Sequence, residues 1–136
     1  MNRWKPTEAI GMTWRLLFVD DTEEDVELAE FELGELPAPW TRRRVATRDE
    51  LIAALRDYDP HLVLCDLNLP GFCWQEAQQI VFAATPAPLF AILTGAVEQA
   101  EHLAGLPVWD KNRLDRLPGD VWELLMPSQT AVALTA

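Results

Sequence analysis

Four short apolar runs each end on a polar side chain. Leu16-Leu17-Phe18-Val19 leads to Asp20 and Asp21, and Leu62-Val63-Leu64-Cys65 to Asp66. Leu89-Phe90-Ala91-Ile92-Leu93 leads to Thr94, and Val108-Trp109 to Asp110 and Lys111. Uninterrupted apolar runs of this length read as strands covered on both faces, the signature of a parallel sheet. Neighbouring strands lie about 4.8 Å apart. Parallel placement would therefore gather Asp20, Asp21, Asp66, Thr94 and Lys111 at one edge. In an open α/β sheet ligands bind at that carboxyl edge, where the strand order reverses. Oxygen donors so gathered suit a hard divalent cation such as Mg²⁺.

The intervening segments supply the helices. Thr22 is placed to cap a helix whose first turn holds Glu23, Glu24 and Asp25, where the macrodipole favours negative charge. Val26, Leu28, Ala29, Phe31 and Leu33 give that helix its apolar face, and Gly34 is a plausible stop. Residues 41–46, with Arg42, Arg43 and Arg44 in a row, read as a charged edge strand that resists aggregation rather than as an anion-binding patch. A helix starting at Thr47 or Arg48 presents Leu51, Ile52 and Leu55 and ends at Asp59-Pro60; others are expected over 74–84 and 118–126. The strand over 106–110 has Pro107 near its start and belongs at an edge. Strand and helix alternate five times, which predicts a flavodoxin-like, doubly wound five-stranded parallel sheet with right-handed crossovers.

The chain of 136 residues is long enough for one domain with its own core. Its net charge of −11 disfavours direct binding to nucleic acid or to anionic membranes. Cys65 and Cys73 read as buried free thiols, and His61 and His102 stand alone, so neither a disulfide framework nor a zinc site is expected. Residues 77–97 carry no charge, but Gln78, Gln79, Pro86, Pro88 and Gly95 break the stretch into a helix end, a turn and a strand. With no signal peptide in view, a cytoplasmic protein is expected.

Taken together, Asp20-Asp21, the segment Val63-Leu64-Cys65-Asp66-Leu67-Asn68-Leu69-Pro70-Gly71, the pair Thr94-Gly95 and Lys111 resemble the receiver domain of two-component response regulators, the CheY-like family. The resemblance spans residues 14–126, leaving 1–13 as an N-terminal extension and 127–136 as a tail. It implies a strand order 2-1-3-4-5 and a phosphoacceptor, Asp66, that takes a phosphoryl group from a histidine kinase or phosphotransfer protein. Asp20, Asp21, Asp66 and the backbone carbonyl of Asn68 would hold Mg²⁺. Thr94 and Lys111 would bind the phosphoryl oxygens, and Gly95 would leave room for them. The downstream target is not implied.

The chain departs from that family in three places. The stretch from Thr94 to Lys111 is about one helical turn short, so the fourth helix should be shortened, tilted or lost. Val108 stands where the family often has a switching aromatic, and Trp109, one place on, should face the other side of the sheet. Asn112 replaces the usual proline, so the cis bond of a Lys-Pro pair is not expected. Trp74, one of six tryptophans, is a candidate gate over the pocket. Two alternatives accompany the phosphoacceptor reading. One is a pseudo-receiver that binds partners without phosphorylation. The other is a phosphohydrolase with an Asp nucleophile, disfavoured because Asp66 lies mid-chain with no substrate-capping insertion.

Overall fold

The computed structural model describes residues 12–100, 103 and 105–126. Trp4, His102, most of the N-terminal extension and the whole 127–136 tail lie outside the described residues. Five parallel strands form one sheet in the order β2-β1-β3-β4-β5: β1 (Trp14–Val19), β2 (Trp40–Val45), β3 (Leu62–Cys65), β4 (Leu89–Thr94) and β5 (Val108–Asp110). The helices are α1 (Glu23–Leu33), α2 (Arg48–Asp57), α3 (Trp74–Phe82) and α4 (Leu117–Leu125). Between β4 and β5 there is a single 3₁₀ turn, Val97–Ala100, where the short spacing predicts a shortened helix.

Strand alternation sorts the core into two layers. Trp14, Leu16, Phe18, Leu62, Leu64, Ala91 and Leu93 pack on one face with Val26, Ala29 and Leu33 of α1 and Leu117, Val121 and Leu125 of α4. Leu17, Val19, Val63, Cys65, Phe90 and Ile92 pack on the other with Leu51 and Ala54 of α2 and Ala77 and Val81 of α3. Successive strand residues point to opposite faces, so apolar runs without alternation are required here.

Two helices bury less than their apolar patterns suggest. Leu28 is 59% exposed and Phe31 83% exposed, so α1 packs only through Val26, Ala29 and Leu33. That is a narrower stripe than the five apolar residues predict, because α1 lies against one sheet face and no element among the described residues covers its outer side. On α2, Leu51 is fully buried while Ile52 is 40% exposed. Thr22 precedes α1 but makes no side-chain cap; its N–H instead donates to Asp20 Oδ1 at 2.9 Å. Thr47 does cap α2, in a reciprocal capping box with Glu50. Cys73 is exposed, contrary to the expectation of two buried thiols, because it immediately precedes α3 outside the core.

The edge strand β2 uses all three of its arginines internally. Arg42 donates to Glu23 at 2.6 Å and Glu30 at 3.2 Å, and Arg44 to Glu23 at 2.7 Å. Arg43 lies 4.9 Å over the Tyr58 ring. Glu23 is held below the ordinary carboxylate range by its hydrogen bonds to Arg42 and Arg44. This contribution is present above the unfolded-state value and is lost as pH falls through the lower folded-state value.

Truncating Leu64, which packs in the interior of the sheet, should destabilise the fold by about 2–5 kcal/mol. Phe31→Ala, on the uncovered side of α1, should stay within about 0.5 kcal/mol. Urea unfolding of both variants checks the pair, and a large loss for Phe31→Ala would mean that α1 packs differently.

Candidate functional site

Asp20, Asp66 and Lys111 are held by extensions of the sheet's own hydrogen-bond ladder. Asp20 N–H donates to Val45 O at 2.9 Å, Asp66 N–H to Val19 O at 2.9 Å and Lys111 N–H to Thr94 O at 3.0 Å. The backbone of one site residue thus continues the pairing of β1 with β2, another that of β3 with β1, and the third that of β5 with β4. Because β1 lies between β2 and β3, Asp20 and Asp66 meet where the strand order reverses.

The side chains converge on one ammonium. Lys111 Nζ lies 2.8 Å from Asp20 Oδ2, 2.9 Å from Asp25 Oδ2 and 3.1 Å from Asp66 Oδ2. Asp20 is 2% exposed, Asp66 8% and Thr94 0%. Asp21 is exposed and opens the cluster to solvent. Burial raises the carboxyl of Asp20 above its ordinary value, although Lys111 and the Thr22 N–H pull it down. Burial alone would lower Lys111, but hydrogen bonds to Asp20 and Asp25 outweigh it and hold the amine above its usual range. Lys111 is therefore charged at neutral pH.

The donor set fits a divalent cation. Asp20, Asp21 and Asp66 each offer a carboxylate oxygen, and these atoms lie within 4.8 Å of one another. All three donors are hard oxygens, and exposed Asp21 leaves a side open to water, as Mg²⁺ requires. The negative charge is in excess, since one ammonium faces three carboxylates at bonding distance.

The other sequence-predicted residues divide into those in the cluster's loops and those on the sheet behind it. Asn68 lies in the exposed loop after β3, its N–H facing Asp66 Oδ1 at 3.5 Å. Thr94 Oγ1 accepts the Ala96 N–H at 3.1 Å and so fixes the start of the β4–β5 connection. Gly95 is exposed, and a Cβ there would meet nothing within 4 Å, so its small size answers to no protein neighbour. Val108 and Trp109, both half-buried, pack on opposite faces of the sheet, as alternation requires. Trp74 packs against the layer containing Leu17 and Val19. After Lys111 the chain turns through Asp110 Oδ1 accepting the Asn112 N–H at 2.8 Å. Among the described residues Thr85–Pro86 is the only cis peptide. Cys65, beside Asp66, is pushed up by burial and stays a neutral thiol.

Asp25 belongs to this cluster and was not among the sequence candidates. In sequence it is one of three acidic residues in a helix's first turn, where dipole stabilisation is sufficient explanation. Its spacing of four from Asp21 is the only trace of its place at the site.

This arrangement decides what the chain is similar to. No family model and no curated protein matches the sequence. Solved structures do match: a signal receiver domain from Vibrio parahaemolyticus has a TM-score of 0.70 at 22% identity, covering 92% of this chain and 99% of its own. The fold is that of a response-regulator receiver domain. The phosphorylated cyanobacterial phytochrome response regulator RcpA matches with a TM-score of 0.66 at 18% identity, over 86% of this chain and 96% of its own. The REC domain of AraT, a response regulator from Geobacillus stearothermophilus, matches with a TM-score of 0.64 at 19% identity, over 87% of this chain and 99% of its own. Like a receiver domain, the chain has five parallel strands in the order 2-1-3-4-5 and carries its acidic cluster at the carboxyl edge. No helix among the described residues is long and apolar enough to cross a membrane.

The raised carboxyl of Asp20 has a consequence for stability. An acid whose folded-state value is raised binds its proton more tightly in the fold, so its charge opposes folding at neutral pH. Asp20→Asn keeps an oxygen for the Thr22 N–H and removes that charge. Its melting temperature at pH 7 should rise, and the increase should shrink as pH falls through the carboxylate range. A lower melting temperature would show that the Lys111 ion pair outweighs the burial.

Proposed function

We propose that this domain is the phosphoacceptor of a two-component relay, with Asp66 as the residue that receives the phosphoryl group from a histidine kinase or phosphotransfer protein. The observation that carries the reading is the convergence of Asp20, Asp21 and Asp66 on one small volume, with Lys111 bonded to the Asp66 carboxylate. An Asp66 oxygen would attack the phosphorus of a phosphohistidine. The new O–P bond forms as the P–N bond breaks, and the electron pair leaves on the imidazole nitrogen, which then takes up a proton. The product is an aspartyl phosphate.

Asp20, Asp21, Asp66 and the Asn68 carbonyl would hold Mg²⁺. When bound, the ion supplies positive charge that offsets repulsion between the carboxylate and the incoming phosphoryl oxygens. Lys111 would neutralise one phosphoryl oxygen through a charge-assisted hydrogen bond. Thr94 would donate its hydroxyl hydrogen to another while its oxygen goes on accepting the Ala96 N–H. Gly95 leaves open space beside the cluster. Phosphorylation adds charge and strong acceptors at Asp66, and the pull on Thr94 and Lys111 would pass into the 3₁₀ turn and the short β5. Trp109 and Val108, on opposite faces of β5, are the side chains through which that movement would reach the two core layers; Trp74 would cover the pocket from the α3 side. The protein would act as a signalling switch on a downstream target or output domain.

Incubation with acetyl phosphate and Mg²⁺ should add one phosphoryl mass to the native chain and none to Asp66→Asn, read by intact-mass spectrometry. Chelating the metal should abolish the labelling. Labelling that persists in Asp66→Asn would overturn the assignment. Multiple turnover of a simple phosphate ester would favour the hydrolase reading instead.

A further inference from the structure

Lys111 is bonded to one oxygen of each of two carboxylates that a metal at this site would use. Asp20 Oδ1 is committed to the Thr22 N–H at 2.9 Å, and Asp66 Oδ1 faces the Asn68 N–H at 3.5 Å. The remaining oxygen of each, Oδ2, is bonded to Lys111 Nζ. A divalent cation entering the trio would sit among the same carboxylates as a charged ammonium, and the two cations repel at close range. The Lys111 side chain is only 13% exposed, so an ammonium released without a partner would remain in a largely buried place at a considerable cost. Asp25 Oδ2 is already 2.9 Å from Nζ, and Asp25 is not one of the three residues whose oxygens cluster within 4.8 Å. It projects from the first turn of α1, outside that trio and 38% exposed.

We propose that Asp25 is a positioning residue that retains Lys111 when Mg²⁺ takes the Asp20 and Asp66 oxygens, so that the ammonium stays charged, ordered and within reach of an incoming phosphoryl group. The proposal rests on the phosphoacceptor reading and assigns this chain a fourth carboxylate that acts through Lys111 rather than as a metal ligand. In the metal-free state the ammonium is shared three ways. In the metal-loaded state it keeps the Asp25 partner alone. Removing Asp25 makes the lysine a stronger competitor for the metal's oxygens, because it has nowhere else to go.

The test is Mg²⁺ titration, followed by backbone amide shifts around Asp21 and Asn68, of the native domain, Asp25→Asn, Lys111→Met and the double variant. Asp25→Asn should weaken Mg²⁺ binding about two- to fivefold, the range of a partly exposed charge pair. Lys111→Met should strengthen it by removing the competitor. In the Lys111→Met background, Asp25→Asn should change the affinity by less than about twofold, since its effect runs through the lysine. Asp25→Ser, a residue well suited to a helix's first turn, gives the same comparison if the asparagine variant folds poorly. An unchanged affinity in Asp25→Asn overturns the proposal. So does an equal loss in both backgrounds, which would mark a through-space charge effect. Absence of any Mg²⁺ response in the native domain overturns the phosphoacceptor reading and the Asp25 role with it. A native response with no Asp25 effect overturns the Asp25 role alone.

Discussion

One ammonium, Lys111 Nζ, joins the start of one helix to the ends of two strands, from a position far along the chain from all three. It reaches Asp20 after β1, Asp25 on α1 and Asp66 after β3, while its own backbone N–H pairs with Thr94 of β4. Buried like charges of this kind repel one another, and the cluster holds together because a cation sits among them. The same geometry supports the proposal that a metal cation replaces the lysine at two of these carboxylates. Three carboxylates leave charge to spare beside one lysine, and exposed Asp21 keeps a path open to solvent.

The rest of the fold serves to aim those groups. Both faces of the sheet are apolar and covered, so the strands are fixed in register by packing on two sides, and their ends are fixed with them. The polar edge strand is tied separately, through Glu23 bridging Arg42 and Arg44. Arg44 also donates to the Asp20 backbone carbonyl at 3.2 Å, linking that edge network to the site. The described part of the β4–β5 connection holds a 3₁₀ turn, anchored at its start by the Thr94 hydroxyl, and leads to the three-residue β5.

Much of this was legible in the sequence, for a physical reason. A strand buried on both faces leaves a contiguous apolar run, and the residue that ends such a run lies at the sheet's edge. Asp20, Asp66 and Thr94 could therefore be placed from sequence position alone. What the sequence hid was direction. Leu28 and Phe31 share the helical spacing of buried residues, yet α1 has a covered side and an open one, and periodicity does not say how wide the covered stripe is. Asp25 was hidden for the same reason, since a carboxylate in a first turn satisfies the helix dipole whether or not it also meets a lysine from another part of the chain. β5 came out shorter than the strand expected over 106–110, with Leu106 packing against the core ahead of it.

The central claim is that the strand-end cluster binds a phosphoryl group at Asp66 and passes the change to Thr94, Lys111 and the segment between them. Amide NMR spectra of the native domain with Mg²⁺, before and after addition of beryllofluoride, test it most directly. The account predicts large shifts at Asp66, at Gly95 and Ala96 beside Thr94, and at Lys111 and Asn112, with the far ends of β1 and β3 unmoved. A spectrum that beryllofluoride leaves unchanged, or one that shifts only away from the carboxyl edge, would contradict it.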